Sequence, residues 1–339
     1  MSSDDERGCA SGGLSDDMKA AELQDEILFK QPENNVEIAC CASCGIAGDN
    51  EFKLKDCTAC HLVKYCGVKC QRDHWRQHKK VCKKRVAELR DELLFKQPES
   101  SSLGDCPICC LPLSLPTSDH KTYFTMSCCS KYICIGCDYA NEKREIEGRL
   151  ETKCPFCRYP TVQTMEEAKR MMMKRVEAND PDAMAQTGMR CMLEGEYGKS
   201  IEYWTKAAEL GNLDAHYCLS GLYRDGEGVE KDEKKRVYHL EEAAIGGHVD
   251  ARYELGNFEA KKGRPNRAIK HWIIAANIGC VKSLELLKKN YAHGYVAKDD
   301  FAAALRGHHA AVKATKSPQR ELAEAAVQKM DTERAARQK

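Results

Sequence analysis

The stretch Leu222-Tyr223-Arg224-Asp225-Gly226-Glu227-Gly228-Val229-Glu230-Lys231-Asp232, followed by Ala243-Ala244-Ile245-Gly246-Gly247, reads as one helix ending, a glycine turn, and a second helix that stops at glycine. Its landmarks recur along the chain. Asp182-Ala183, Asp214-Ala215 and Asp250-Ala251, with Lys282-Ser283 as a degenerate fourth, are spaced by 32, 36 and 32 residues. Ala207-Ala208, Ala243-Ala244 and Ala275-Ala276 follow at 36 and 32, and Gly211, Gly247 and Gly279 keep the same steps, as do Trp204, Leu240 and Trp272. Fixed periods of this size predict stacked helix-turn-helix units. Small Ala pairs let helices approach, the Trp or Leu before each pair fills the groove, and the Gly ends the second helix. Asp180-Pro181 suits the start of the first unit.

Upstream of the repeats the composition changes. Of 21 Cys in 339 residues, 17 lie between Cys40 and Cys157, and only Cys191, Cys218 and Cys280 follow. The N-terminus Met1-Ser2-Ser3-Asp4-Asp5-Glu6 has neither a basic nor an apolar signal region, and the longest mostly apolar run, Trp272 to Ala276, is far too short to span a membrane. Clustered thiols in such a chain, expected to be cytoplasmic and/or nuclear, point to metal rather than disulfides. With Lys+Arg 53 against Asp+Glu 52, the net charge of +1 offers no global field for nucleic acid or an anionic membrane, so neither is an expected partner.

The first cluster reads Cys41-x2-Cys44-x12-Cys57-x2-Cys60-x5-Cys66-x3-Cys70-x7-His78-x3-Cys82. Cys-x2-Cys brings two thiolates to one zinc from a tight turn, and His78 and Cys82 share a helix face. Eight ligands make two closed four-coordinate sites, hence structural zinc, and so few apolar residues leave metal to supply most of the folding energy. The run Tyr65-Cys66 through Cys70-Gln71-Arg72-Asp73-His74-Trp75-Arg76-Gln77-His78-Lys79-Lys80-Val81-Cys82 resembles the MYND zinc finger. The resemblance implies interleaved pairing, with Cys41, Cys44, Cys66 and Cys70 on one zinc and Cys57, Cys60, His78 and Cys82 on the other. Cys40 competes with Cys41 for the first place, and His74 is expected on the helix rather than on metal. The family binds proteins, often proline-rich peptides. Gln71 and Trp75 match positions that face such peptides, although Trp75 could equally pack the small module.

The second cluster holds Cys106-Pro107-Ile108-Cys109, Cys128-Cys129, Cys134-x2-Cys137 and Cys154-Pro155-Phe156-Cys157, with a charged, helix-favouring stretch from Asp138 to Leu150. It resembles a RING-type cross-brace finger, which implies Cys106, Cys109, Cys134 and Cys137 on one zinc. For the second zinc, Cys154 and Cys157 need a middle pair. A typical RING finger has Cys-x-His before its fifth ligand; aligning Cys129 with that Cys puts Lys131 at the His position, and an ammonium cannot ligate. Either Cys128 and Cys129 both bind, or His120 is recruited, or the site is lost; the adjacent cysteines are favoured, and Cys110 is read as a bystander. One or two zinc ions are therefore expected here, besides two in the first cluster. Many RING fingers recruit a ubiquitin-conjugating enzyme. The resemblance places Ile108 on that surface and Arg158 where a ligase carries a basic residue contacting ubiquitin. The alternatives are a local hydrophobic contact and a solvated charge.

The repeats, in turn, resemble SEL-one-like repeats, relatives of the tetratricopeptide class. A further duplication, Ala21 to Glu33 recurring as Ala87 to Glu99 with two substitutions, reads as a helical strut packing on the zinc module that follows each copy. Ser317-Pro318 opens a last charged helix. The expected fold is mostly α: two small zinc-stabilised cross-brace modules followed by a short α-solenoid of about four helix-turn-helix repeats. The order is 1–20 disordered, 21–36 strut, 37–84 MYND-type finger, 85–103 strut or linker, 104–162 RING-like finger, 163–310 repeats and 311–339 charged helix. Enzyme motifs fail. Gly195-Glu196-Tyr197-Gly198-Lys199-Ser200 lacks the first P-loop glycine, since Leu193 stands there, no Gly-x-Ser-x-Gly occurs, and the Asn-His pair of MYND-bearing methyltransferases is absent. The expected function is a zinc-dependent adaptor for proteins or peptides. A RING-type ubiquitin ligase is the alternative, and a transcription or chromatin cofactor is a third reading.

Overall fold

The computed structural model describes residues 39–48, 53–116 and 122–337. The expected disordered segment 1–20, the first strut at 21–36 and His120 lie outside the described residues. The chain divides into two compact units, Met1–Glu88 and Leu89–Lys339.

In the first unit, β1 (Lys55–Asp56) pairs antiparallel with β2 (Lys64–Tyr65), and α1 (Val68–Leu94) begins directly after them and continues past the unit boundary. The buried cluster consists of Cys41, Cys57, Cys60, Cys82 and the ring of Tyr65. A core made of thiols instead of aliphatic side chains is what a metal-dependent fold requires.

The second unit starts inside α1. It contains the hairpin β3 (Tyr123–Thr125) and β4 (Tyr132–Cys134), then α2 (Ile135–Glu147) and α3 (Met165–Glu177). Four helix pairs follow: α4 (Pro181–Leu193) with α5 (Tyr197–Glu209), α6 (Leu213–Asp225) with α7 (Glu233–Ile245), α8 (Val249–Lys261) with α9 (Pro265–Asn277), and α10 (Val281–Ala292) with α11 (Lys298–Ala314). Helix α12 (Pro318–Arg337) ends the chain, with Ser317 Oγ accepting from Arg320 N at 3.3 Å. No helix among the described residues is long and apolar enough to cross a membrane.

The repeat landmarks form the core. Ala183, Ala215, Ala251 and Ser283 are each 0% exposed. Asp180 caps α4 by accepting from Asp182 N and Ala183 N, and Asn212 and His248 cap α6 and α8 at the corresponding places. Gly211, Gly247 and Gly279 have φ of 86, 90 and 99°, left-handed stops that residues with a Cβ adopt at a cost. Trp204 and Trp272 are buried against Gly188 and Gly256, where any Cβ would run into the indole. Cys191 and Cys280 are buried and Cys218 half-buried, filling space as small hydrophobes.

The second strut departs from expectation. Instead of packing on the zinc module after it, it docks on the repeats. Leu94 is buried with Leu240, Ala243, Ala244, Ala251 and Leu255, and the Phe95 ring lies 4.8 Å from that of His271. Arg90 pairs with Glu241 and Glu242 at 2.9 Å each, Arg267 pairs with Asp91 at 2.5 Å, and the buried Arg252 donates to Leu94 O and Ala244 O. Leu94 and Phe95 need apolar surface, and the Ala ridges of the repeats supply it where a thiol-cored finger cannot. Helix α12 also does more than the sequence suggests. It lies along α2, with Gln319 Nε2 donating to Gly136 O at 3.0 Å and the buried Arg320 donating to Pro112 O, Leu111 O and Thr315 O.

Candidate metal centres

One backbone device recurs at the cysteine pairs. At Cys41, Cys57, Cys106 and Cys154, the fourth residue on returns its N–H to the Cys carbonyl, as in Gly45 N to Cys41 O at 2.9 Å and Arg158 N to Cys154 O at 3.0 Å. The Cys N–H reaches a carbonyl five or six residues ahead, and the residue after the second Cys takes positive φ: Gly45 at 76°, His61 at 57°, Cys110 at 54° and Arg158 at 61°. This knuckle points both sulfurs of Cys-x2-Cys to the same side. It explains Cys110, which occupies the left-handed place and belongs to no group of potential ligands.

A fifth knuckle resolves the middle pair. Met126 N donates to Lys131 O at 3.0 Å, Ser130 N to Met126 O at 2.8 Å, and Ser130 has φ 54°. Here Met126 stands in the first place of the knuckle, Cys129 in the second, and Cys128 brings the missing sulfur from between them. Lys131 is left outside the group.

Four groups result: Cys41, Cys44, Cys66 and Cys70; Cys57, Cys60, His78 and Cys82; Cys106, Cys109, Cys134 and Cys137; and Cys128, Cys129, Cys154 and Cys157. Within each, every ligand atom lies within 4.8 Å of the others. Closest approaches include Cys66 to Cys70 at 3.3 Å, Cys60 Sγ to His78 Nε2 at 3.2 Å, Cys109 to Cys134 at 3.8 Å and Cys128 to Cys157 at 3.3 Å. The edge of a tetrahedron with ~2.3 Å zinc–sulfur bonds is ~3.8 Å, so each group suits one tetrahedral zinc and leaves no position for water. Cys41 rather than Cys40 joins the first group. His74 joins none; its Nδ1 meets Tyr65 OH at 3.1 Å and its ring stacks on His78.

The electrostatics call for a cation. The thiol of Cys134 holds Cys106 down to about 4, while the same contact and burial push Cys134 up. The Cys44 backbone N–H lowers Cys41 to about 6, while the thiols of Cys70 and Cys44 raise Cys66 to about 12. Burial raises Cys128, and raises Cys129 to about 11. One thiolate forms readily in such a group and opposes the next, unless a divalent ion compensates all four.

The partner-facing candidates separate. Trp75 is 42% exposed and stands outside the finger's buried cluster, and Gln71 lies one turn before it with Nε2 3.9 Å from Cys57 Sγ. Ile108 is 40% exposed. Arg158 is engaged within the chain: it donates to Asn141 Oδ1 at 2.9 Å and reaches Glu145, whose carboxylate is 3% exposed and also accepts from Lys153 N. In the repeats, Met189, Tyr217, Arg224, Arg236 and Glu254 line a cleft of about 310 Å³. Sequence reasoning missed Glu145, Arg252 and Arg320. The last also donates to Cys109 Sγ at 3.4 Å, a hydrogen bond from outside the ligand set.

Comparison with known proteins agrees with the finger's geometry. The chain is similar to the crystal structure of a Sel1 repeat protein from Oxalobacter formigenes, with 24% identity over 52% of this chain and 72% of that one and a TM-score of 0.39. It is also similar to a protective antigen of uropathogenic Escherichia coli strains displaying an SLR fold (17% identity, 56% of this chain, 51% of that one, TM-score 0.30). MamA matches at 19% identity over 51% of this chain and 96% of its own, with a TM-score of 0.30. Residues 41–82 match the family model of the MYND finger, which implies zinc as the metal of the first two groups.

Proposed function

We propose that this chain is a zinc-stabilised interaction scaffold, cytoplasmic or nuclear, that docks protein segments through the finger at 41–82 and through its helical repeats. The observation that carries the reading is closure. Each of the four groups fills a tetrahedron with protein atoms, so none offers the open position that metal catalysis needs. Against that background the exposed Trp75 beside Gln71 is a place for a peptide, with proline-rich segments as the first class to try. Titrating the zinc-loaded chain with labelled proline-rich peptides, followed by the anisotropy of the peptide label, tests this. Saturable binding lost in Trp75→Ala, with zinc retained, supports the reading, and binding indifferent to Trp75→Ala defeats it.

A ubiquitin ligase remains the second reading, favoured by the complete Cys128, Cys129, Cys154 and Cys157 group and by exposed Ile108. Weighing against it, Arg158 spends its guanidinium on Asn141 and Glu145. An autoubiquitination assay with a panel of conjugating enzymes separates the two. No transfer leaves the scaffold standing, and transfer abolished by Ile108→Ala at unchanged zinc content replaces it.

A further inference from the structure

The net charge of +1 hides a local concentration. Between Lys64 and Arg85 there are nine Lys or Arg and a single acid, Asp73. Six of them, Lys69, Arg72, Arg76, Lys79, Lys80 and Lys83, fall on one arc of α1 at helical spacing, opposite the face that carries Cys70, His78 and Cys82. All six are exposed, and among the described residues none forms an ion pair. Lys69 and Arg72, Arg72 and Arg76, and Lys79 and Lys83 stand three or four positions apart, where like charges destabilise a helix. Farther along the same helix the pattern is the ordinary one, with Lys84 and Arg85 both meeting Glu88. The basic arc spans ~21 Å of helix.

Along one edge of this arc runs an apolar seam. Val68, Trp75 and Val86 are 61, 42 and 40% exposed and lie on nearly one line of the helix surface, with the stem of Lys79 between them. Cations alone would suit any polyanion. A row of exposed apolar side chains beside them suits a partner that carries its own apolar row flanked by carboxylates, the pairing logic of a helix seam with charged flanks.

We infer that this face of α1 docks an acidic amphipathic segment of a partner protein, its apolar side chains on Val68, Trp75 and Val86 and its Asp and Glu on the six cations. The inference rests on the reading of the finger as an interaction module and adds the partner's charge and shape. Lys-rich arcs attract by long-range field, so the docking is fast and salt-sensitive.

The test is fluorescence anisotropy with the zinc-loaded full chain. The probe is a labelled 21-residue peptide of three heptads with Leu at the two seam positions and Glu at the rest; a control has Gln for every Glu. The expected result is that the Glu peptide binds at least about tenfold tighter than the Gln peptide and weakens by at least about tenfold between 50 and 300 mM salt. Arg72→Gln, Arg76→Gln, Lys79→Gln and Lys83→Gln combined should remove most of that binding at unchanged zinc content. Should that variant lose zinc, the pair Arg76→Gln and Lys83→Gln carries the test, with a smaller loss expected. The quadruple variant should still bind a proline-rich peptide; failure of the unsubstituted chain to bind that peptide while it binds the Glu peptide would count against the proposed function alone. Equal binding of the Glu and Gln peptides overturns the inference. So does tighter binding of a 20-nucleotide single-stranded DNA or of phosphatidylserine vesicles, or no effect of the neutralised arc.

Discussion

The finger at 41–82 and the repeats at 181–314 solve the same problem by different means. In the finger the buried set is four thiols and one tyrosine ring, joined by His78. In the repeats Trp204, Leu219, Leu240, Leu255 and Leu287 are all buried to 2% exposure or less, and the Ala pairs let them interlock. Apolar burial stabilises whether or not metal is present, at about 25 cal/mol per Å². A quartet of thiols stabilises only while metal is present, and without it the crowded thiols oppose ionisation. The second cysteine module stands between the two. Its two quartets could each hold a metal, yet it is also tied to the repeats by Leu115 against Val249, Ala275 and Cys280 and by Ser102 N to Gly247 O at 3.1 Å, and to α3 by Arg175 to Ser130 Oγ at 2.8 Å.

The largest expected effect follows from that contrast. Native mass spectrometry should count four zinc ions, and each structural zinc is worth roughly 10–16 kcal/mol to a small finger. Chelation should abolish protection from hydrogen exchange across 41–82, lower it less around β4 and α2, and leave most of the helical circular dichroism of α4–α11. Loss of most helicity would show that the repeats depend on metal after all, and a count of two ions would leave the groups of the second cysteine module empty. Within the finger, His78→Ala should release one zinc. His74→Ala should keep both and lose its hydrogen bond with Tyr65 and its stacking on His78, about 1 kcal/mol.

Inside the repeats the counterpart is a void or a clash. Trp204→Ala should cost roughly 3–5 kcal/mol in denaturant unfolding. Gly256→Ala should cost roughly 1–3 kcal/mol, because its new methyl meets the Trp272 indole. Gly221→Ala on α6 meets nothing within 4 Å and should stabilise by up to ~1 kcal/mol. If Gly221→Ala and Gly256→Ala behave alike, the close helix approach at Trp272 is wrong.

These residues also mark what could be read in advance. The Asp-Ala and Ala-Ala ladders betrayed the repeats because every unit repeats the same burial at the same step. The Gly partners of Trp204 and Trp272 were missed, although Gly188 and Gly256 each stand sixteen positions before their Trp. Cysteine spacing revealed the finger, since Cys-x2-Cys is itself the knuckle. It left Cys128-Cys129 open because Met126 holds the knuckle's first place without offering a usual zinc ligand. Arg252 and Arg320 were out of reach, because their partners Leu94 O and Pro112 O lie 158 and 208 positions away. Local patterning cannot announce a guanidinium that caps a distant carbonyl.

A smaller effect concerns acid. Burial, helped by Arg252 and Arg267, holds the fully buried His271 down to about 3. A folded state that refuses a proton the unfolded chain accepts near pH 6.5 loses stability as pH falls from about 6.5 towards 3, by up to ~1.4 kcal/mol per pH unit. Hydrogen exchange in α8 and α9 should show protection dropping between pH 7 and 5. His271→Gln should flatten that slope while lowering stability at pH 7. An unchanged slope would place the acid sensitivity with other buried groups, first among them His239, held down to about 4 by burial, and His216.

The smallest effect separates backbone from side chain at the knuckles. Cys110 and Arg158 hold the same left-handed place, at φ 54° and 61°, each directly after a zinc-loop cysteine. A residue with a Cβ there costs on the order of 1 kcal/mol, partly offset because glycine gives the unfolded chain more freedom. The Cys110 side chain is exposed and belongs to no quartet. Cys110→Gly should therefore leave the zinc count unchanged and raise the thermal midpoint slightly, by less than ~1 kcal/mol in stability. Arg158→Gly gains the same backbone relief but strips Asn141 and the buried Glu145 of their guanidinium, which exceeds the gain. Its midpoint should fall. If both variants rise together, Arg158 is only a spacer in a turn and its side chain is free for another partner, which would strengthen the ligase reading. If both fall, glycine is no remedy at these places, and the knuckle depends on the stiffness that a Cβ gives the chain.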